Sequence, residues 1–163
     1  MERIKINLPA HFTFTANLTV RITDLNYGGH VGNDVFLSLI HEARQQFLYH
    51  HGYAELQFEG IGLIMADAAI EFKKEMNYSD NINIHVAATG FDKYGFDIFY
   101  KLEIIKGIEI ILAGKAKTGM LCYDYAAKKL TPVPEKAKEK LGGGLQKVVS
   151  QLQCPFYNKL KKD

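Results

Sequence analysis

The sequence lacks tryptophan, has only two cysteines and carries little net charge. Twenty Lys and Arg residues oppose eighteen Asp and Glu residues, which gives a formal charge of +2 at pH 7. Binding of nucleic acid without sequence preference usually requires a strong positive excess, so this balance argues against a nucleic-acid partner. Cys122 and Cys154 form no C-x-x-C or metal-ligand pattern, so they are predicted to be reduced structural thiols, and no metal site is expected.

Long hydrophobic runs are also missing. No run approaches eighteen uncharged apolar residues, and the N-terminus has no basic start followed by a long apolar segment. The protein is therefore predicted to be soluble and cytoplasmic, without a membrane partner. The sequence does contain 47% apolar residues, with ten Phe and nine Tyr in 163 residues. This is enough for one hydrophobic core, and the aromatic content favours a sheet-rich interior.

The hydrophobic periodicity changes along the chain from a strand pattern to a helix pattern. Residues 12–22 alternate apolar and polar side chains, which predicts a half-buried strand. Residues 25–32 lose this alternation and contain three glycines, so a tight loop is expected there. Apolar residues then recur at helical spacing, which predicts a helix over residues 34–50, with Asn33 as its cap and Gly52 as its stop.

Strand signals dominate the chain after this helix. They cover residues 61–76, 82–88, 96–105 and 108–125, and the turn residues between the later segments favour antiparallel connections. A curved antiparallel sheet wrapped around one long helix satisfies this order and buries the apolar stripe of the helix. The predicted fold class is therefore α+β.

Two short helices are expected near the end of the chain. The first covers residues 134–141, and the second follows three glycines over about residues 145–152, where apolar residues recur at i, i+3, i+4 and i+7. We therefore expect one domain over residues 1–141. Residues 142–163 are expected to form a C-terminal amphipathic extension that is not an independent domain.

The loop and the long helix together carry a recognisable motif. Residues 26–33 read NYGGHVGN, and Glu42-Ala43-Arg44 follows on the helix. This pattern resembles D-x-M-G-H-V-N-N, an apolar segment and then E-A-R, which is typical of the 4-hydroxybenzoyl-CoA thioesterase-like family of hotdog-fold acyl-CoA thioesterases. A second segment, AIEFKK at residues 69–74 and YSD at residues 78–80, is similar to that family's strand and its G-D ending.

The resemblance implies a hotdog-fold enzyme that hydrolyses an acyl-CoA thioester without a cofactor. It also implies a homodimer or homotetramer with active sites at the subunit interface. The N-terminus of the long helix would point at the thioester, where unpaired N–H groups near Asn33 can stabilise the charge of a tetrahedral intermediate. Two alternatives stay open, namely a substrate carried by acyl carrier protein and a non-catalytic module that binds acyl thioesters.

The catalytic carboxylate is the open question in the motif. The family's usual aspartate falls on Asn26, whose amide cannot act as a general base, so Asn26 is assigned to hold the substrate carbonyl or a water. Glu42 is the first candidate for the carboxylate, because it lies at the edge of the apolar stripe and resembles the position of the catalytic acid in another hotdog branch. Asp24 is the second, because it could reach the loop from the strand end. Asp67 interrupts an apolar run and is a candidate at a dimer interface.

The remaining candidates would bind or position the substrate. His30 is expected to hydrogen-bond the loop or the acyl carbonyl, and its imidazole could pass a proton to the leaving thiolate. Gly28 and Gly29 would permit close approach of the backbone. Lys73 and Lys74 would meet the phosphates of coenzyme A at the outer rim of the site.

Overall fold

The computed structural model describes residues 1–143, and its elements follow the predicted order. Within these residues the chain forms β1 (Phe14–Thr19), α1 (Asn33–His50), β2 (Gly62–Phe72), β3 (Asn81–Thr89), β4 (Gly95–Lys106), β5 (Glu109–Asp124), β6 (Lys129–Leu130) and α2 (Glu135–Leu141). A short 3-10 turn at Ile22–Asp24 follows β1. The predicted C-terminal helix and Cys154 lie outside the described residues, and the proposed domain division stays a prediction.

The strands form one antiparallel sheet in the order β1-β3-β4-β5-β2, with β6 beside β5. Strands β3, β4 and β5 follow one another through short turns, as their turn residues predict. The hairpin between β4 and β5 turns at Gly107, whose φ of +62° favours glycine. Strands β1 and β2 are therefore the two outer strands of this order.

Helix α1 packs against one face of the sheet and forms the centre of the core. Its buried apolar stripe comprises Phe36, Leu39, Ile40, Ala43, Phe47 and Leu48. The ring of Phe47 lies 6.0 Å from that of Phe14 on β1. Towards the other end of the strand order, a Cβ on Gly114 of β5 would lie 2.7 Å from the ring of Phe36. The glycine therefore lets the first turn of α1 approach the sheet closely. The predicted sheet around one long helix is thus confirmed.

The burial of large apolar side chains supplies most of the stability of this arrangement. Each fully buried Leu, Ile or Phe contributes roughly 1.5–3 kcal/mol relative to an exposed one. Cys122 is also fully buried on β5, and burial raises the pKa of its thiol to about 11. This position agrees with the predicted structural role of Cys122.

Most element boundaries differ from the sequence prediction by one or two residues, and three of the differences bear on the site. Strand β1 stops at Thr19, because the chain turns into the 3-10 segment and leaves Ile22 67% exposed. Strand β2 stops at Phe72, because the N–H groups of Lys73 and Lys74 both bond the carbonyl of Ala113. Helix α1 begins one residue early.

The predicted cap of α1 is therefore wrong. Gly32 is the cap residue, with φ −67° and ψ 153°, and Asn33 is the first helical residue. Gly32 has no side chain, so the helix start has no side-chain cap from this residue. At the other end the predicted stop is confirmed, since Gly52 has φ +80° and its N–H bonds the carbonyl of Tyr49.

Candidate active site

The loop before α1 is a tight turn that Asn26 organises. Its carbonyl accepts a hydrogen bond from the N–H of Gly29 at 3.0 Å, and its own N–H donates to the carbonyl of His30 at 2.9 Å. The side-chain oxygen of Asn26 accepts a further bond from the N–H of Gly28 at 2.8 Å. Gly29 has φ +79°, a conformation that favours glycine. The amide of Asn26 thus has a structural role that the sequence motif alone did not indicate.

His30 lies half-buried at the end of this turn. Its Nδ1 is 3.3 Å from the carbonyl oxygen of Val31 and 3.5 Å from Nδ2 of Asn26. Its Nε2 is 3.9 Å from the carboxylate of Glu75. A Cβ on Gly28 would lie 3.0 Å from Nε2 of His30, so the glycine makes room for the imidazole. The structure therefore brings His30, Asn26 and Gly28 together, as predicted.

The first turn of α1 follows directly after this loop. The N–H of Phe36 is the first to bond within the helix, and it donates to the carbonyl of Gly32 at 3.0 Å. The geometry of an α-helix leaves the N–H groups of Asn33, Asp34 and Val35 without an intrahelical acceptor. Asn33 and Asp34 are exposed. The start of α1 is thus open to a ligand that accepts hydrogen bonds.

Two neighbouring segments hold the loop in place. The N–H of Val31 bonds the carbonyl of Met76 at 2.9 Å, and His30 forms a bridge with Asn77. On the other side, the N–H of Gly32 bonds the carbonyl of Asp24 at 3.2 Å. The start of α1 is therefore fixed from both sides, which suits a site that must orient a substrate.

Asp24 is buried, and Arg21 holds its carboxylate. Its two oxygens accept hydrogen bonds from the N–H of Arg21 at 2.7 Å and from Nη2 of the guanidinium at 3.0 Å. The side-chain hydrogen bond from Arg21 holds the pKa of Asp24 below its ordinary value. A carboxylate in such contacts is a weak base, so the structure favours an anchoring function for Asp24, and its catalytic role stays a prediction.

Replacing Asp24 with asparagine is expected to lower the stability of the protein at neutral pH. Because the pKa of Asp24 is lowered in the folded protein, the stabilisation is present above the ordinary carboxyl pKa of 3.8 and is lost as the pH falls through the folded pKa. Urea unfolding should give a lower midpoint for Asp24→Asn at pH 7, and the difference from the native protein should shrink below pH 3.8. A difference that does not depend on pH would contradict this assignment.

The other two candidate carboxylates contact residues outside the loop. Glu42 is exposed on α1 and accepts a hydrogen bond from Gln46 at 2.8 Å, so the predicted partial burial is wrong for the single chain. Asp67 lies on β2 with 59% of its side chain exposed, and Lys117 compensates its charge at 3.0 Å. The structure does not bring either residue to His30. Their catalytic and interface roles stay predictions.

Lys73 and Lys74 are exposed on the segment that leads from β2 to Met76. Because the carbonyl of Met76 accepts the hydrogen bond from Val31, this segment reaches the loop, as the predicted rim requires. Lys73 forms an ion pair with Glu71. Binding of phosphate by either lysine stays a prediction.

A buried polar network around Arg44 was missed by the sequence analysis. The side chain of Arg44 is 5% exposed, and its Nε donates to the carboxylate of Glu55 at 2.8 Å. The hydroxyl of Tyr100, which lies 2.9 Å from that of Thr118, interacts with Arg44 as well. The available signal was the position of Arg44, four residues after Ile40 and in the middle of the apolar stripe.

The described residues contain no helix long and apolar enough to cross a membrane. Within residues 1–143, no group of three or more His, Cys, Asp or Glu side chains is arranged to hold a metal ion.

An antiparallel sheet around one long helix, with a glycine loop at the helix N-terminus, defines a hotdog-fold protein. More specifically, the chain belongs to the thioesterase-like superfamily, whose family model matches residues 20–141. The predicted fold and the predicted family resemblance are both confirmed.

Several known proteins are similar to this chain. The 1,4-dihydroxy-2-naphthoyl-CoA hydrolase of Microcystis aeruginosa is 28% identical over 126 residues, which cover 76% of this chain and 88% of that protein. The structure of a 1,4-dihydroxy-2-naphthoyl-CoA thioesterase from Synechocystis matches with a TM-score of 0.68 and 20% identity, over 80% of this chain and 96% of that chain. An aspartate-to-asparagine variant of 4-hydroxybenzoyl-CoA thioesterase, complexed with 4-hydroxybenzoyl-CoA, matches with a TM-score of 0.72 and 15% identity, over 78% and 97% of the two chains.

Proposed function

We propose that this protein hydrolyses an acyl-CoA thioester to a free carboxylic acid and coenzyme A. The observation that carries the proposal is the start of α1, where helical N–H groups without an intrahelical acceptor lie next to the loop of Asn26 and His30. The thioesterase-like family and the named reaction of the relative from Microcystis support the same reaction class. The alternative of a non-catalytic acyl-thioester module is motivated by Asn26.

The proposed reaction proceeds through a tetrahedral intermediate. The thioester carbonyl lies at the start of α1 and accepts hydrogen bonds from N–H groups near Asn33. Water attacks the carbonyl carbon, and the negative charge that develops on the carbonyl oxygen is stabilised by these donors by about 2.7–4 kcal/mol for a well-placed donor. The C–S bond then breaks, the sulfur of coenzyme A leaves with the electron pair, and it takes up the proton that the attacking water gives up. The reaction so written uses water and no cofactor.

We infer that a second copy of the chain completes the site. Glu42 follows Asn33 by nine positions, which places it about 13.5 Å further along the axis of α1. A Glu42 that acts on the thioester must therefore come from another subunit. Strand β2 offers an edge for pairing with a second subunit. Its four consecutive residues Met65–Ala68 are all exposed, and three of them are apolar. The proposed assembly is a homodimer, or a homotetramer built from it.

Replacing Ala68 with lysine is expected to weaken the dimer. A lysine on an edge strand opposes pairing with another strand, because its charge would lie near the same lysine of the second subunit and repel it. Light scattering should give a dimer for the native protein and a dissociation constant raised by roughly tenfold or more for Ala68→Lys. Ala127→Lys, in an exposed turn after β5, is the matched control and should leave the dimer unchanged. A native protein that is monomeric at all concentrations would contradict the proposed interface.

Release of free thiol tests the proposed function. The native protein is mixed with a panel of short-chain, long-chain and aromatic acyl-CoA thioesters, and coenzyme A is detected by a thiol-reactive dye. We expect turnover of at least one member of the panel. Binding without turnover would support the non-catalytic alternative, and turnover only of the matching acyl-carrier-protein thioesters would replace coenzyme A by that carrier.

Cytoplasmic location stays a prediction.

A further inference from the structure

The first turn of α1 carries a carboxylate that belongs to Asp34. A Cβ at position 32 would lie 2.5 Å from Oδ1 of Asp34, so this carboxylate occupies the space that a side chain at position 32 would fill. Gly32 has φ −67° and ψ 153°, an extended conformation that any residue adopts. Glycine is therefore needed at position 32 for space rather than for backbone conformation.

This carboxylate lies on the same face of the loop as Asn26 and His30. Leu25 and Val31 form an antiparallel bridge, and the N–H of Asn26 bonds the carbonyl of His30. In such a pair, residues directly opposite share a face and successive residues alternate between faces. Asn26, His30 and the space over Gly32 are thus on one face, and the 3.5 Å contact between the side chains of Asn26 and His30 agrees with this.

The backbone places the two groups at neighbouring positions on this face. The Cα atoms of His30 and Gly32 are about 7 Å apart in extended chain, and the carboxylate of Asp34 lies over Gly32. The free N–H groups of the first turn of α1 are adjacent to the same space. Asn26, which carries no carboxylate, lies opposite His30 on this face.

We propose that Asp34 is the general base that activates water for thioester hydrolysis. This assignment rests on the proposed hydrolase function. The carboxylate of Asp34 accepts a proton from water while the water oxygen bonds the carbonyl carbon. When the C–S bond breaks, the sulfur leaves with the electron pair and takes this proton from the Asp34 carboxylic acid. The products are the free acid and the thiol of coenzyme A, and the carboxylate is restored.

The decisive variant is Asp34→Asn in the full-length protein, assayed by thiol release. We expect kcat to fall by roughly 10²-fold or more with little change in KM. The remaining rate should rise with hydroxide concentration, because hydroxide then attacks without a base. Asp34→Glu should recover part of kcat. Glu109→Gln, at an exposed acid that begins β5, is the matched control and should keep the native rate.

An aspartate in the first turn also stabilises a helix through its dipole, and the assay separates the two roles. Loss of the dipole interaction alone would lower the melting temperature and leave the pH dependence of kcat unchanged, which would overturn the assignment. A second variant, Gly32→Ala, keeps Asp34 but places a methyl group where its carboxylate lies. We expect Gly32→Ala to lower kcat by about tenfold in the native background and to have little effect in Asp34→Asn, because residues that act as a unit are not additive.

The alternative results are distinct. If the native protein is active and Asp34→Asn stays within about threefold of its kcat, the assignment is wrong. If Glu42→Gln abolishes turnover and Asp34→Asn does not, the base is Glu42, as the sequence predicted. If the native protein releases no thiol from any substrate, the proposed function fails, and the assignment of Asp34 fails with it.

Discussion

Replacing Asn33 with proline is expected to lower kcat by roughly 10²- to 10³-fold while the protein stays folded. Proline is well tolerated at the first helical position, because the N–H that it lacks has no partner within the helix. The backbone of Gly32, with φ −67° and ψ 153°, already has the conformation required before a proline. The substitution therefore removes one hydrogen-bond donor from the proposed site and leaves α1 in place.

Asn33→Ala is the matched control, because it removes the side chain and keeps the N–H. Thiol release should show a kcat within about threefold of the native value for Asn33→Ala and the large loss only for Asn33→Pro. Thermal unfolding by circular dichroism should show that both variants are folded. Equal activity of Asn33→Pro and Asn33→Ala would mean that this N–H does not contact the thioester.

Replacing Arg44 with alanine is expected to lower the free energy of unfolding by about 3 kcal/mol or more. The guanidinium is buried on α1, where Glu55 and Tyr100 interact with it and Met65 lies 3.9 Å away. Burial alone would lower the pKa of Arg44, but Tyr100 and Glu55 outweigh this effect and raise it. Alanine would leave a cavity in the core and would remove the partner of the partly buried Glu55.

Urea unfolding of matched variants separates these contributions. Arg44→Met keeps most of the volume and should lose less stability than Arg44→Ala. Glu55→Gln leaves the buried guanidinium without its ion pair and should also be destabilising. Arg3→Ala, at an exposed position, should change stability by less than about 0.5 kcal/mol. A loss below about 1 kcal/mol in Arg44→Ala would show that the network contributes little to the fold.

The sequence predicted the elements well, because hydrophobic periodicity is maintained over many residues. The helix over residues 34–50 differs from α1 by one residue, since the apolar stripe spans the whole element. The antiparallel meander followed from short turns such as the one at Gly107. Ends of elements were less predictable, because they depend on partners distant in the sequence, as the shared carbonyl of Ala113 shows at the end of β2.

The site was predicted in outline but not in detail. The motif placed Asn26, His30 and the helix start together, and the structure agrees. The sequence placed Glu42 at the edge of the apolar stripe of α1. Its exposure depends on which elements cover that side of the helix, and none of the described residues buries Glu42. The side chain of Asp34 folds over Gly32 without any periodic signal in the sequence, so only the three-dimensional structure identifies this contact.

The burial of Arg44 could not be predicted from the sequence either, because it depends on residues outside the helix. A charged residue in the middle of an apolar stripe predicts either a break in the stripe or a buried ion pair. The choice requires knowledge of Glu55, eleven residues further along the chain and outside the helix. Tyr100 and Thr118 come from β4 and β5, and they meet because those strands pair in this register.

The most direct test of hydrolysis at the start of α1 is a turnover experiment in ¹⁸O-labelled water. The native protein is incubated with the acyl-CoA thioester that it hydrolyses fastest, and the mass of the acid product is measured by mass spectrometry. We expect one heavy oxygen in the carboxylic acid, released together with free coenzyme A, at a rate that falls by roughly 10²-fold or more in Asn33→Pro. Absence of labelled acid, or labelled acid formed equally fast by Asn33→Pro, would contradict the proposed site.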